Sequence, residues 1–396
     1  MKWAIFLGST TVGGGTYVIF EHATRAMEKG IDVTIITRQK VSKDELYWHT
    51  KASELKFMTI DEAADVEFDV VILTWWAMVG EAYKVKGKQY VYFVQSIESK
   101  FAPEKEKPTR RYAESTYMMP VEMITEATWI KEYLEKNYLK HPILVHNGIR
   151  KDIYNEEGEA IKPREPGKLR VLVEGPVDVD FKNVPKTIEL CRKSKADEIW
   201  LMTSSEISSY KGVDKVFSRV PIWEAAKIYR SCDVIVKLSY VEGMFGPPLE
   251  MFHCGGTSIT YDVTGHDEYI VHGENGFVVH RDEDDKVVEY INKLKDDPAY
   301  LNKLKDGARK TASEWICWEE SSDRFYDAVM KLSVPKEDNL QAKMEQMSKF
   351  YFEDYTVMQD YLNELEYLKL IRPFAEFVNK IKRFVPAPIR KALRKI

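Results

Sequence analysis

The chain has 396 residues, of which 44% are apolar and 31% are charged, and its formal net charge is −5. This size and composition are typical of a soluble protein with about two domains, which excludes general disorder. The small negative charge gives no case for nucleic-acid binding, and no stretch reaches the ~20 apolar residues of a membrane span. The four cysteines form no Cys-x-x-Cys pair, so neither a zinc site nor a disulfide framework is predicted and a reducing cytoplasm fits.

The beginning of the chain alternates apolar runs with a helical pattern. Residues 3–7 are an apolar run and residues 32–36 are rich in β-branched side chains, as buried strands are, and residues 16–29 predict a helix that ends in glycine. This alternation predicts a parallel α/β sheet. The loop before the helix lacks the Gly-x-Gly-x-x-Gly spacing, so a dinucleotide site is not predicted. Gly14 and Gly15 belong either to a flexible turn or to a loop whose backbone passes close to a diphosphate or sugar.

Two further strands are predicted at residues 69–73 and 90–94. The residues after each strand should lie at the carboxyl edge of the sheet, where ligands bind in α/β folds. Trp75 follows the first strand and offers either a stacking surface for a sugar or an ordinary core contact. The polar residues that follow the second strand are Gln95, Ser96 and Glu98.

A change in composition separates two halves of the chain. Residues 150–168 contain two prolines, two glycines and many charges, which is typical of an exposed linker. Strand patterns resume at residues 169–173, 199–203 and 233–238. The sequence therefore predicts a first domain at 1–160 and a second domain at 168–332.

The stretch 239–256 carries the clearest signal for chemistry. After the last of these strands, a loop with Gly243, Gly246 and two prolines leads into a helix that a Gly-Gly pair ends. Backbone N–H groups at a helix N-terminus lack partners and attract anions. Glu242 lies in the loop and Glu250 in the first helical turn, so both acids can face one ligand at the carboxyl end of the strand.

These two glutamates are separated by seven residues, set in Glu-Gly-Met-Phe-Gly-Pro-Pro and followed by Cys-Gly-Gly. The pattern resembles the signature of retaining nucleotide-sugar glycosyltransferases of family four, whose usual order is Glu-Gly-Phe-Gly-Leu-Pro, so the loop here is shifted by one residue. The segment 143–149 resembles the close of the family's first domain. The resemblance covers about residues 1–332, and the chain looks most like bacterial rhamnosyltransferases of surface-glycan assembly.

The resemblance implies an α/β protein of the GT-B type, with two facing Rossmann-like domains, to which residues 333–396 add a helical extension. The first domain would take the acceptor and the second the nucleotide sugar. Glu242 would stabilise the anomeric carbon as it becomes cationic, and Lys182 would neutralise the diphosphate. The donor-binding residues implied are Gly14, Gly15, Gly243, Met244, Phe245, Gly246 and Glu250, the last through a ribose hydroxyl. The residues implied on the acceptor or sugar side are Gln95, Ser96, Glu98 and Trp75.

Two departures from the family pattern carry expectations of their own. The arginine of the usual basic pair is replaced by Pro176, which leaves Lys182 and helix N-termini to face the diphosphate. The family often has a histidine near Gln95 that meets the 6-hydroxyl of the donor, and its absence hints at a 6-deoxy sugar such as that of dTDP-rhamnose. Asp178 and Asp180 could pair on a metal, but the implied fold binds phosphate without one, so no metal or other cofactor is expected.

The C-terminal part lies outside the resemblance. Residues 343–370 predict a long aromatic-rich helix, and residues 377–396 hold seven basic residues and no acidic one. Basic residues alternating with apolar ones suit an anionic membrane surface; a solvated or homodimer-contacting helix is the alternative. The expected location is the cytoplasm, peripheral at the inner face of the plasma membrane. The expected partners are a nucleotide-sugar donor and a glycan or lipid-linked glycan acceptor, without nucleic acid.

Two other classes of function remain open from the sequence. A sugar-nucleotide epimerase also uses two facing domains, but it needs no acceptor and no membrane-seeking tail. A non-catalytic scaffold of a glycan-assembly complex would bind nucleotides weakly or not at all.

Overall fold

Two parallel sheets make the body of the protein in a computed structural model that describes residues 1–334 and 339–382. The strands of the first sheet are β1 (Lys2–Phe6), β2 (Asp32–Thr37), β3 (Lys56–Thr59), β4 (Glu67–Leu73), β5 (Lys86–Val94), β6 (Glu122–Thr125) and β7 (Ile143–Leu144). The strands of the second sheet are β8 (Arg170–Glu174), β9 (Glu198–Thr203), β10 (Lys215–Ser218), β11 (Val234–Lys237), β12 (Thr257–Tyr261) and β13 (Gly276–Val279). Their spatial orders are β3-β2-β1-β4-β5-β6-β7 and β10-β9-β8-β11-β12-β13.

Helices cover both faces of each sheet. They are α1 (Gly14–Glu28), α2 (Ile60–Ala63), α3 (Trp76–Val79), α4 (Lys107–Ser115), α5 (Thr128–Tyr138), α6 (Val184–Lys193), α7 (Ile222–Ser231), α8 (Gly246–His253), α9 (Asp284–Asp296), α10 (Pro298–Glu314), α11 (Trp318–Leu332) and α12 (Leu340–Lys382). Because both faces are covered, central strands are apolar at successive positions: Ile5 points into one core of the first sheet and Phe6 into the other. This explains why apolar runs rather than alternation marked the strands.

The predicted elements are present with shifted ends. The helix predicted at 16–29 begins two residues earlier as α1, and the strand predicted at 90–94 is the last part of a longer β5. Edge strands β3 and β10 and the short helices α2 and α3 were not predicted, because four residues carry too little periodicity to read.

The chain returns to the first domain after completing the second sheet. Trp318, Phe325 and Val329 of α11 are buried in the core beneath β1 and α1. Gly148 makes this return possible, since a Cβ on it would lie 2.3 Å from the backbone oxygen of Cys317. Helix α11, grouped with the second domain by chain order, thus packs on the first.

Helix α12 extends this return along the outside of the first domain. Leu340 and Met344 are buried there, and Gln341 Nε2 donates to Tyr83 O at 2.7 Å. Further along, Arg111 Nε of α4 donates to Asp354 Oδ2 at 3.0 Å. The predicted extension therefore exists and packs on the first domain over its first half.

The second half of α12 exposes several large apolar side chains. They include Tyr361, Tyr367, Leu368 and Leu370. Residues 335–338 and 383–396 lie outside the described part, and with them most of the basic tail predicted to meet a membrane. Within the described residues, no helix is long and apolar enough to cross a bilayer.

Candidate active site

The loop after β11 lies where the two domains touch. Ser96 Oγ, after β5, donates to the backbone oxygen of Glu242 at 3.5 Å. Trp129 Nε1 of α5 donates to Gly243 O at 3.0 Å, and Met244 N donates to Glu126 Oε1 at 3.1 Å. The carboxyl edges of the two sheets therefore face each other across this loop, as the two-domain prediction requires.

Gly243 is a glycine because the domains approach too closely for a side chain. A Cβ on Gly243 would lie 2.1 Å from Gln95 O, and one on Gly265 would lie 2.3 Å from Gly243 O. Gly265 also has a φ of +81°, which side chains rarely adopt. The first glycine of the motif is thus a contact point with the first domain.

Met244 and Phe245 stand where the usual motif has a single phenylalanine, and the extra residue fits at the same contact between the domains. The Met244 side chain is half-buried and packs on apolar cores of both domains. Phe245 is fully buried in the second domain, and its backbone oxygen accepts a hydrogen bond from Tyr269 OH. Met244 therefore reaches between the domains while Phe245 anchors the loop to its own domain.

Glu242 is buried between two ammonium groups. Its Oε2 lies 2.7 Å from Lys182 Nζ, and its Oε1 lies 3.6 Å from Lys237 Nζ. Burial by itself raises the pKa of Glu242, but the charges of Lys182 and Lys237 outweigh burial and hold the pKa below its ordinary value. The structure thus brings the predicted pair Glu242 and Lys182 together, with an ionised carboxylate at the base of the cleft.

Lys237 and Glu174 are site residues that the sequence did not reveal. Lys237 Nζ donates to Glu174 Oε2 at 2.5 Å and to Glu174 O at 3.2 Å. The Lys237 side chain is only 2% exposed, and burial works to lower its pKa, but the carboxylates of Glu174 and Glu242 raise the pKa overall. The available signal was a lysine in an otherwise apolar strand, since a buried lysine requires a partner.

Glu250 lies on α8 and is held by one hydroxyl. Tyr229 OH donates to Glu250 Oε2 at 2.9 Å. Burial raises the pKa of Glu250 to about 7, and the nearby charge of Glu174 adds to the rise. Near neutral pH this acid is therefore divided between its two protonation states, unlike Glu242.

The N-terminus of α8 is a poorer anion site than its sequence indicated. Pro247 and Pro248 have no N–H group, and Gly246 N already donates to Met244 O at 3.0 Å. Helix α1 begins instead with Gly14 and Gly15, and a Cβ on Gly14 would meet nothing within 4 Å. The first N–H groups of a helix lack partners within it, so α1 is the better position for a phosphate.

Gln95 connects α1 to the motif loop. Its Nε2 donates to Gly15 O at 3.2 Å, and its own backbone oxygen faces Gly243. The structure therefore gathers Gly15, Gln95, Ser96 and Glu242 around one point of the cleft.

Glu98 and Trp75 occupy a neighbouring part of the first domain. Glu98 Oε2 accepts from Trp76 N at 2.9 Å, and burial raises the pKa of Glu98 to about 8. The Trp75 ring lies directly on Gly8, and the Arg38 guanidinium lies over it at 5.5 Å from the ring centre. Among the described residues, neither side chain forms a hydrogen bond or ion pair with Glu242 or Lys182.

Glu126 is a second carboxyl that the sequence did not reveal. Besides the contact with Met244, its Oε2 accepts from Asn147 Nδ2 at 3.0 Å. Burial raises the pKa of Glu126 to about 7. It lies 118 residues from Met244, and no local pattern announces such a contact.

The acids that could pair on a metal lie near the cleft in the second domain. Asp178, one of the two acids that could pair on a metal, accepts from Ser205 Oγ at 2.6 Å. Within the described residues, no group of three or more His, Cys, Asp or Glu side chains is placed to hold a metal ion. Metal-independent activity stays a prediction.

Comparison with known proteins places this site in context. Residues 194–311 match the family model described as glycosyl transferases group 1, a segment that contains Lys237, Glu242 and Glu250. An uncharacterised glycosyltransferase of Methanocaldococcus jannaschii is 25% identical over 214 residues, which are 50% of this chain and 56% of that protein. The chain thus spans about half the length of the curated relative that it matches. The second domain carries the sequence pattern of group 1 glycosyltransferases.

Solved structures resemble the fold over most of the chain. HepE of Anabaena, solved in complex with UDP-glucose, is 14% identical with a TM-score of 0.68, covering 84% of this chain and 100% of its own. Sucrose-phosphate synthase of Thermosynechococcus elongatus is 14% identical with a TM-score of 0.66, covering 84% and 98%. WaaG, a glycosyltransferase involved in lipopolysaccharide biosynthesis, is 14% identical with a TM-score of 0.63, covering 83% and 99%. At these identities the likeness establishes the fold, and the predicted GT-B architecture is confirmed.

Proposed function

We propose that this protein transfers a sugar from a nucleotide diphosphate donor to a hydroxyl of a glycan acceptor, with retention at the anomeric carbon. The observation that carries the proposal is Glu242, a buried and ionised carboxylate between the facing edges of two Rossmann-like sheets. It lies in the segment that matches group 1 glycosyltransferases. A carboxylate held in this state can stabilise positive charge that develops on a sugar ring.

The chemistry follows from the charges. The bond between the anomeric carbon and the diphosphate oxygen breaks, and a bond from the acceptor hydroxyl to the same carbon forms. The acceptor proton passes to the leaving phosphate oxygen. Lys182 and the open N–H groups of Gly14 and Gly15 are placed to stabilise the negative charge on the diphosphate, and Glu242 the positive charge on the sugar.

Glu250 would accept a hydrogen bond from a ribose hydroxyl of the donor. Its carboxyl is oriented by Tyr229, and its pKa of about 7 means that a carboxylate able to accept is available above neutral pH. Binding of the nucleotide and stabilisation of the transition state are thereby assigned to different acids.

The donor proposed is a 6-deoxy sugar nucleotide such as dTDP-rhamnose. The support is Gln95, whose amide already donates to Gly15 O where a histidine for a 6-hydroxyl is expected. A site that does not bind a hydroxyl has less reason to reject a sugar without it. Turnover with UDP-glucose or GDP-mannose and none with dTDP-rhamnose would contradict this choice.

A panel of nucleotide sugars tests the function. Thermal unfolding of the full-length protein is measured with each donor, and the donor that stabilises it is then offered with glycan acceptors. A ligand at a hundredfold excess over its Kd stabilises a protein by about 2.7 kcal/mol, which such an assay resolves. Conversion of the donor without acceptor would indicate an epimerase, and no stabilisation by any donor would indicate a scaffold.

Attachment to an anionic membrane is proposed for the end of α12 and the tail that follows. The support is the exposed apolar second half of α12 together with the seven basic residues of 377–396. A chain ending at residue 376 should turn over a soluble acceptor normally but fail to sediment with phosphatidylglycerol vesicles. If the full-length protein does not sediment with such vesicles at low salt, the tail contacts a protein or a second subunit instead.

A further inference from the structure

Four charges of alternating sign form a chain beneath the cleft. Glu174 at the end of β8 holds Lys237 of β11, Lys237 lies beside Glu242, and Glu242 holds Lys182. The separations are 2.5, 3.6 and 2.7 Å in that order. Two carboxylates and two ammonium groups have charges that cancel, so these four side chains together give the donor-free site no net charge.

The two lysines differ in their freedom to move. The Lys237 side chain is 2% exposed, lies on a central strand and is bound twice to Glu174, through the backbone oxygen and a carboxylate oxygen. The Lys182 side chain is 22% exposed and ends a short 3-10 turn, Asp180–Lys182, rather than a strand. Lys182 can therefore turn toward a ligand in the cleft, whereas Lys237 cannot.

We propose that Lys182 is an exchangeable counter-charge that leaves Glu242 for the donor diphosphate, while Lys237 is the permanent counter-charge that remains with Glu242. This inference rests on the proposed function. In the donor-free protein, Glu242 takes the place at Lys182 that the diphosphate will occupy. Lys237 is then a positioning residue, acting through Glu242 rather than on the substrate.

The physical reason is the cost of a buried charge without a partner. An isolated carboxylate in such a place takes up a proton, and a neutral Glu242 could not stabilise a cationic sugar carbon. Once Lys182 has moved, the charged groups still facing Glu242 are Lys237 from β11 and, beyond it, Glu174 from β8. On the first-domain side, Glu126 lies next to Gly243. Burial raises the pKa of Glu126 to about 7, so this acid is partly protonated near neutral pH. Among the described residues, Lys237 is then the cation that remains beside Glu242 to keep it ionised during transfer.

Three full-length variants separate the two roles. Lys182→Met and Lys237→Met each remove one partner of Glu242. Lys305→Met is the matched control, since Lys305 is a buried lysine of the same domain that is paired with Asp233 at 2.7 Å, outside the cleft. Unfolding temperature, donor Kd and the pH profile of kcat at saturating donor are measured for each.

We expect a split between binding and turnover. Lys182→Met should raise the donor Kd about tenfold or more, as expected for loss of a charged hydrogen bond, and leave the acid limb of kcat where it is. Lys237→Met should change the Kd little, lower kcat, and move the acid limb upward by about one pH unit or more. Lys305→Met should lower the unfolding temperature without moving the profile.

A measurement without turnover keeps the proposal independent of activity. With glutamate labelled by ¹³C at the side-chain carboxyl, the Glu242 signal is identified by its loss in Glu242→Gln. Its titration midpoint should rise in Lys237→Met and stay unchanged in Lys305→Met. If Lys237→Met does not fold, Glu174→Gln replaces it; this change frees Lys237 for Glu242 and should lower the midpoint.

Specific outcomes overturn the inference. An acid limb that Lys237→Met leaves at the wild-type pH, or that Lys182→Met moves as far as Lys237→Met does, refutes the division of roles. An unmoved Glu242 midpoint in Lys237→Met refutes the permanent counter-charge even if the enzyme assay finds no donor. If the wild type transfers no sugar but the Glu242 midpoint rises in Lys237→Met, the proposed function is rejected and the permanent counter-charge stands.

Discussion

Glu242 on one side of the cleft and Glu126 and Glu98 on the other have pKa values that are shifted in opposite directions. In the second domain, Lys182 and Lys237 hold the pKa of the buried Glu242 low despite its burial. In the first domain, no cation of residues 1–334 and 339–382 pairs with Glu126 or Glu98, and burial raises their pKa values to about 7 and about 8. Burial therefore does not decide the role of a carboxyl; the cation beside it does.

The largest difference in kcat is expected when Glu242 or Glu126, one acid on each side of the cleft, is replaced by its neutral amide. Glu242→Gln should lower kcat by about a hundredfold or more, because it removes a charge that acts on the transition state. Glu126→Gln should leave kcat close to the wild-type value, because Glu126 is largely neutral below pH 7 and an amide oxygen can still accept from Met244 N. Steady-state kinetics near pH 6.5 compare the two, and equal losses would contradict the assignment.

The second prediction concerns Glu250, an acid of the second domain whose pKa burial raises to about 7. Donor affinity should rise several-fold from about pH 6 to about pH 8, since the ionised form accepts the ribose hydroxyl. Calorimetric titration with a nucleotide sugar measures this, and the sugar nucleotide is preferred because its phosphates do not titrate in that range. Glu250→Ala should weaken binding more than it lowers kcat, and should remove the pH dependence.

The third prediction concerns stability and its sign. Glu98 holds a proton in the folded protein up to about pH 8, whereas an unfolded glutamate releases its proton near pH 4.3. Between these values the folded form binds the extra proton, so the free energy of unfolding falls as the pH rises, and above them the loss is complete. Glu98→Gln should therefore be more stable than wild type at pH 8 by on the order of 1 kcal/mol, with a smaller gain at pH 5.

Unfolding temperatures at both pH values test this, with Glu54→Gln as a control on an exposed acid of the same domain. A gain that is the same at both pH values would mean that Glu98 is not the titrating group. Because Glu242 has a lowered pKa, its contribution to stability has the opposite sign: it is present above the unfolded pKa and is lost as the pH falls through the folded value.

The smallest effect is expected from removal of metal. If Lys182 and the α1 N-terminus supply the counter-charge of the diphosphate, EDTA should leave transfer unchanged. Loss of activity that magnesium or manganese restores would instead point to Asp178 and Asp180, and the second-domain side would then work through a metal rather than through lysines.

Much of the architecture could be predicted because its signals are local. The apolar runs of β1, β4, β5, β8 and β11 and the glycines around Glu242 are read within a few residues, and they predicted parallel α/β sheets in two domains with Glu242 at a carboxyl edge. That the two domains face each other, and that Lys182 belongs to the site, was implied by the family resemblance. Lys182 follows β8 and Glu242 follows β11; these two strands are neighbours in the second sheet, so both side chains reach one edge of it.

The sequence by itself determined which features the chain carries and in what order: a glycine loop, a motif glutamate and a long C-terminal helix. Only the tertiary structure decided which groups neutralise which. Lys237 meets Glu174 across 63 residues, and Glu126 meets Met244 across 118. Such contacts depend on how two sheets are stacked and closed together, and a charge state depends on those contacts and on burial, neither of which local periodicity encodes.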